Sequence, residues 1–194
     1  MKRWFALWSA LLVLPAMAAL PTGSTAPDFS APASRAGQAT HFSLSDALGH
    51  GPVVLYFYPA AYTGGCDLEA HTFATQADAF KAAGATIIGV SADNIERLNS
   101  FSADPDYCAG KFAVASDPEG KVAARYGLDM RPPQAGVKDV RGEEVTHGFL
   151  PRTTFVIDGD GHIVAVFSSD TDKLSPDQHV TQALAIVKQL KSEG

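Results

Sequence analysis

Residues 52–80 read PVVLYFYPAAYTGGCDLEAHTFATQADAF, and the fold is decided here. Val53 to Tyr58 is an unbroken apolar run with the length and the β-branched and aromatic content of a strand buried on both faces. Pro59 stops it, having no N–H for a sheet ladder. Thr63-Gly64-Gly65 makes a turn. After it Cys66, Ala70, Phe73, Ala77 and Phe80 recur at helical spacing, which predicts a helix starting close to Cys66. A cysteine at a strand-to-helix junction is placed where a helix N-terminus lowers a thiol pKa. A shift from about 8.5 to about 6 would raise the thiolate share roughly thirtyfold at neutral pH. The expectation is a thiolate nucleophile at Cys66.

Upstream, Pro21 to Ala39 is rich in Pro, Ser, Ala and Gly and predicts an extended leader, with Phe29 as an anchor. Thr40 to Leu44 alternates as a short strand, and Ser45 to Leu48 forms one helical turn. Downstream, the Cys66 helix should end near Ala83-Gly84. Thr86 to Ser91 is a second buried strand, making a parallel crossover with the first. Asp93 or Asn94 can cap a helix through Phe101. Asp104-Pro105-Asp106 interrupts it and leaves Cys108 in a loop or a short helical piece. Phe112 to Ala115 is a third strand, and Asp117 to Gly120 opens a short helix with Pro118 at its first position. Leu128 to Leu150 has no clear period and predicts a long loop. Thr153–Ile157 and 162–167 form a hairpin around Asp158-Gly159-Asp160-Gly161. Pro176 to Leu190 is a final amphipathic helix with Val180, Leu184, Val187 and Leu190 inside. This order fits a thioredoxin-like α/β sandwich, a central mixed β-sheet flanked by helices.

The 194 residues suit one domain, and 46% hydrophobic against 19% charged composition is that of an ordinary core-forming chain. Residues 1–18 stand apart. Lys2-Arg3, the apolar stretch Trp4 to Pro15 and Ala16-Met17-Ala18 match a secretory signal peptide, with an uncleaved anchor as the alternative. The expectation is export to the bacterial periplasm as a single domain, 19–194, without stable membrane association after cleavage. Cleavage removes Lys2 and Arg3 and no acids, so 13 basic residues face 21 acidic ones and the net charge falls from −6 to −8. No Lys/Arg cluster remains to bind nucleic acid.

Cys66 and Cys108 survive cleavage, and in an exported chain an even pair suggests a structural disulfide. Closing this loop could add roughly 4 kcal/mol in the chain-entropy model. The helix-start position of Cys66 favours reactivity instead. Asp67 and Glu69 are acidic, so a cation must come from elsewhere in the fold. Arg152 supplies it if the Thr153 strand lies beside the Val53 strand. The Thr63 hydroxyl can donate to a thiolate or a bound oxygen, or simply serve as an N-cap. Pro59 can just end its strand, and Gly64 and Gly65 suit either a tight turn or close approach of a small ligand.

Pro59-x-x-x-Thr63-x-x-Cys66 matches the P-x-x-x-T-x-x-C signature of the peroxiredoxins. Glu69-Ala70, Gly89-Val90-Ser91, Ser116 to Lys121 with Tyr126-Gly127, and Arg152 to Asp158 continue the match in order. Together they resemble the bacterioferritin comigratory protein / peroxiredoxin Q branch of this AhpC/TSA-like family, over about residues 24–190. The resemblance implies a thiol peroxidase acting on hydrogen peroxide and organic hydroperoxides, with no metal or organic cofactor. Cys66 is then the peroxidatic cysteine, oxidised to a sulfenic acid. Thr63 and Arg152 position the peroxide and stabilise the breaking O–O bond, and Pro59 shields the thiolate. Some members carry a resolving cysteine five residues after the first, where this chain has His71. Others place it in the next helix, where Cys108 falls. Cys108 is accordingly expected to form an intramolecular disulfide with Cys66, reduced by a thioredoxin-like or other thiol partner. The rival is a one-cysteine enzyme. A monomer or weak dimer is expected.

Other classes fit less well. A thioredoxin-like disulfide reductase expects C-x-x-C, and Cys66-Asp67-Leu68-Glu69 lacks the second sulfur. A cysteine hydrolase needs a histidine base, but His71 lies about 140° round the helix from Cys66. The six histidines lack metal-ligand spacing and are expected mostly at the surface. Asp158 to Gly161 resembles a calcium loop without its remaining acids. A binding module with a structural disulfide is the non-catalytic alternative.

Overall fold

The computed structural model describes residues 19–193, so the stretch 1–18, expected to be a signal peptide, lies outside the described residues. The elements are β1 (Ser30–Arg35), β2 (Gln38–Ser43), α1 (Leu44–Leu48), β3 (Val53–Phe57), α2 (Gly64–Ala82), β4 (Thr86–Ser91) and α3 (Ile95–Ala103). They continue with β5 (Ala113–Ser116), α4 (Lys121–Arg125), β6 (Thr153–Ile157), β7 (Ile163–Ser168) and α5 (Pro176–Glu193). One mixed seven-stranded sheet runs β2-β1-β5-β4-β3-β6-β7. β3 pairs parallel with β4, and β4 with β5; the other pairs are antiparallel.

β3 has neighbours on both edges and cover on both faces, which explains its unbroken apolar sequence. Val54, Tyr56 and Tyr58 point toward Phe73 and Phe80 of α2 and Val180 and Val187 of α5. Val53, Leu55 and Phe57 point the other way, into a core with Leu44, Tyr126 and Phe155. Each such side chain stabilises the fold by roughly 1.5–3 kcal/mol when fully buried. Gly89 on β4 leaves room for the Tyr56 ring, since a Cβ there would meet Tyr56 Cζ at 2.6 Å.

The supposed leader contains a strand. β1 pairs with β2 around Ala36-Gly37 and with β5 at Ala33↔Ala115 and Ser34↔Val114. Its small Ala31 and Ala33 are buried where β-branched residues would ordinarily signal a strand. Pro118 does not open α4. Gly120, with φ 66, precedes the helix, while the Asp117 carboxylate accepts the Ala123 N–H at 2.9 Å. Cys108 lies in a loop of successive turns, with Ala109 at φ 50 and Gly110 at φ 68. His162 belongs to the hairpin turn, its N–H donating to Asp158 Oδ1 at 2.8 Å.

The register brings distant residues to one sheet edge. Phe57, the last residue of β3, pairs with Thr153, the first of antiparallel β6. Pro59 and Arg152 therefore leave the sheet side by side. α2 begins at the same edge, and so does the segment after β4 that carries Asp93.

Candidate active site

Gly64 and Gly65 are the first two residues of α2, and Thr63 precedes them as the N-cap with extended backbone. The Thr63 side chain makes no capping bond; its Oγ1 donates to the Ala60 carbonyl at 2.7 Å. That rules out the ordinary N-cap role and holds the hydroxyl inside the turn before Cys66. Cys66 N–H donates to Thr63 O at 2.7 Å. The Gly64 and Gly65 N–H groups precede the first intrahelical bond, as at any helix start.

Cys66 is 2% exposed and reduced. Arg152 Nη2 donates to its Sγ at 3.2 Å. Gly65 allows this approach, because a Cβ there would stand 3.2 Å from the same Nη2. The predicted lowering of the thiol pKa does not appear in this closed, reduced form. Burial pushes the Cys66 thiol up; Arg152, the Ala60 backbone and Thr63 pull it down, and Glu69 adds to the rise. Desolvation of the thiolate outweighs one guanidinium and a helix start.

Behind Arg152 is a buried group that the spacing did not assign. Nη1 of Arg152 is ion-paired with Glu69 Oε2, and the Glu69 side chain is fully buried. Burial drives its carboxyl up to about 7 against the pull of Arg152. His179 of α5 is also fully buried, an exception among histidines expected at the surface. Its Nδ1 lies 3.0 Å from Thr154 Oγ1 and 4.0 Å from Glu69 Oε1, and its Nε2 lies 3.0 Å from Ser169 Oγ. Burial first, then Arg152, pushes its pKa down to about 4. A polar residue beside Val180 on the apolar helix face was the available signal.

A second polar cluster grips the turn between Pro59 and Thr63. Asp93 Oδ2 accepts the Ala61 N–H at 2.8 Å, and Arg97 Nη2 donates to the Ala61 carbonyl at 2.9 Å. His147 Nε2 lies 2.8 Å from Asp93 Oδ1, and Arg97 reaches Asp139 at 2.7 Å. The guanidinium of Arg141 lies 3.5 Å from the centroid of the Tyr62 ring. The long loop is thereby fastened to the turn before Cys66. No short-range pattern signals it, since the partners are 42 or more positions apart except for Asp93, Arg97 and Ala61.

Cys108 is fully buried and reduced, in the same core cluster as Cys66, Tyr56, Tyr58 and Tyr62. Burial pushes its thiol well up, with Asp104 and Asp67 adding to the rise. Two contacts tie its segment to the Cys66 side: the Tyr62 and Tyr107 rings, 5.4 Å apart, and His71 Nδ1, 2.9 Å from the Asp106 carbonyl. A cavity of about 320 Å³ opens at Pro59 and Arg152, bordered by Val137, Phe149, Leu150 and Ser169. A larger one, about 710 Å³, lies beside Leu20 and Asp129 and includes none of Pro59, Thr63, Cys66 or Arg152. Among the described residues no group of three or more His, Cys, Asp or Glu is placed to hold a metal ion.

Known proteins resemble this chain over most of its length. Residues 22–166 match the model of the AhpC/TSA family. Peroxiredoxin Bcp of Escherichia coli is 34% identical over 148 residues, covering 76% of this chain and 85% of that protein. The solved structure of peroxidoxin BcpB from Mycobacterium tuberculosis superposes with a TM-score of 0.70 at 35% identity, covering 87% of this chain and 96% of that one. The bacterioferritin comigratory protein of Xanthomonas campestris, a structure described in terms of alkyl peroxide reduction, gives 0.63 at 27% identity over 82% of this chain and 91% of its own.

Proposed function

The chain belongs to the AhpC/TSA family and is a peroxiredoxin, a thiol-dependent peroxidase, and from that premise we propose that Cys66 is its peroxidatic cysteine and Cys108 its resolving one. The observation that carries the first assignment is the Arg152 side chain, which lines the cavity and brings its guanidinium to 3.2 Å from the buried Cys66 Sγ. The Cys66 thiolate attacks one oxygen of a hydroperoxide. An S–O bond forms, the O–O bond breaks, and the departing oxygen takes up a proton as water or an alcohol, leaving a sulfenic acid. Arg152 stabilises the anionic charge as it moves from sulfur to the departing oxygen, the N–H groups opening α2 present further donors, and Thr63 Oγ1, whose own proton goes to the Ala60 carbonyl, is left to accept from the hydroperoxide. Pro59 limits access of water. Val137, Phe149 and Leu150 give the cavity an apolar wall suited to an organic hydroperoxide as well as hydrogen peroxide.

Cys108 then attacks the sulfenic sulfur, releasing water and forming a Cys66–Cys108 disulfide, which a thioredoxin-like dithiol reduces. The bond needs the two Cβ atoms within about 4 Å, so the α2 start and the Cys108 turns must part from Tyr62, Tyr107 and His71. The turn-rich Cys108 segment supports such loosening. Its deep burial favours the rival, a one-cysteine enzyme reduced directly at Cys66. The protein acts as a monomer or weak dimer in the periplasm, as the single domain 19–194 left by cleavage after Ala18. Steady-state turnover with a thioredoxin-type reductant tests the scheme. Cys66→Ser should abolish peroxide consumption, whereas Cys108→Ser should keep the first equivalent and lose multiple turnover. Undiminished turnover in Cys108→Ser assigns the one-cysteine route.

A further inference from the structure

Arg152 serves two acidic groups at once. Nη2 contacts Cys66 Sγ and Nη1 pairs with Glu69, three residues further along α2. All three are withdrawn from water: Cys66 is 2% exposed, and the side chains of Glu69 and Arg152 are 0% and 10% exposed. With both acids ionised the site would hold two anions against one cation, a net charge that a buried environment strongly disfavours. Other groups around Glu69 do not relieve this. His179 approaches Oε1 to 4.0 Å but stays neutral, held between two hydroxyls, and Tyr56 brings no positive charge. Among the described residues Glu69 Oε1 has no hydrogen-bond partner, a poor state for a carboxylate oxygen.

We infer that Cys66 and Glu69 share a single proton across Arg152, so that the thiolate forms as Glu69 becomes a neutral carboxylic acid. Glu69 is thus a positioning residue that also holds the proton lost by the thiol. The exchange is balanced: thiol plus carboxylate gives thiolate plus carboxylic acid. After sulfenic acid formation the carboxyl returns its proton to the departing oxygen, giving an alcohol or water. Ser169 borders the cavity and hydrogen-bonds His179, the neutral neighbour of Glu69. Burial pushes both groups up and Arg152 pulls both down, while Glu69 adds to the rise of Cys66.

The inference rests on Cys66 being the reactive thiol, but its test needs no turnover. Thiolate ultraviolet absorbance is titrated in the reduced Cys108→Ser protein with and without Glu69→Gln. A shared proton predicts a broad, two-step thiolate titration that Glu69→Gln collapses to one step, with its midpoint at least about one pH unit lower. If Glu69 only anchors Arg152, its loss frees the guanidinium and the midpoint rises, which overturns the inference. Should Glu69→Gln fail to fold, the Glu69 carboxyl is followed by carbon NMR in Cys66→Ser. There it should titrate in one step at lower pH than in the parent, and an unchanged titration overturns the inference too. Peroxide reduction surviving in Cys66→Ser would overturn the Cys66 assignment itself and leave both titrations as the separate reading of the shared proton.

Discussion

Arg152 bridges two residues of one helix, with Nη2 3.2 Å from Cys66 and Nη1 on Glu69, across 86 and 83 positions of chain. Nothing local to Cys66 could provide this cation, because its neighbours Asp67 and Glu69 are acids. The β3–β6 register supplies it. Arg152→Lys keeps a charge but loses the planar fork that serves both partners. The second-order rate constant for peroxide should fall by about 100-fold or more, the usual cost of losing one preorganised donor. The thiolate titration should move upward. Stopped-flow mixing with peroxide reads the first effect and ultraviolet titration the second.

The two glycines that open α2 should behave differently. Among the described residues a Cβ at Gly64 meets nothing within 4 Å, whereas one at Gly65 lies 3.2 Å from Arg152 Nη2 and 3.5 Å from Pro176 Cγ. Gly64→Ala should leave reactivity intact and stabilise α2 by up to about 1 kcal/mol. Gly65→Ala should displace the guanidinium by tenths of an ångström and slow peroxide reduction while the protein stays folded. Thermal unfolding and peroxide kinetics on both variants separate the outcomes; equal kinetics would contradict the close approach.

Stability should carry two opposing pH dependences. His179 titrates near 4 when folded against an ordinary 6.5, so its neutral form is favoured by folding. Its contribution is present above pH 6.5 and lost as pH falls through 4, an amount of about 3 kcal/mol. Glu69, raised from 4.5 to about 7, has the reverse sign: its contribution is present below 4.5 and lost as pH rises through 7. His179→Asn should therefore gain on the parent by about 3 kcal/mol as pH falls from 6.5 to 4. Urea unfolding of both proteins at the two pH values checks this, and a constant difference would contradict it.

The long loop should set peroxide preference. Phe149 and Val137 border the cavity beside Pro59 and Arg152. Phe149→Ala removes apolar surface from a bulky hydroperoxide and none from hydrogen peroxide. Kinetics with cumene hydroperoxide should fall roughly tenfold in kcat/KM, with hydrogen peroxide little changed. Equal losses would assign Phe149 a purely structural role.

Much of this was legible in the sequence because it is local. The Val53–Tyr58 run, the Pro59 stop, the helical spacing from Cys66 and the Asp158–Gly161 turn are each contained in one short stretch of chain. Arg152 could be named because a hairpin strand placed beside β3 leaves few positions for it. β1 was hidden because its strand character comes from its partners, which cover Ala31 and Ala33, not from its own side chains. Desolvation of Cys66 was equally hidden, since the spacing shows the helix start but not the buried cluster it shares with Tyr56, Tyr58 and Tyr62. Glu69 and the Asp93–Arg97–His147 cluster are polar residues whose burial depends on tertiary packing, so their sequence neighbourhoods look like ordinary surface, whereas His179 was signalled only by its place beside Val180.

The most direct measurement is peptide mass spectrometry of the reduced protein after one equivalent of hydroperoxide, with thiols then blocked. The account predicts a Cys66–Cys108 disulfide in the parent and a trappable sulfenic acid on Cys66 in Cys108→Ser. A Cys66 still free and alkylated after the peroxide is consumed would contradict it.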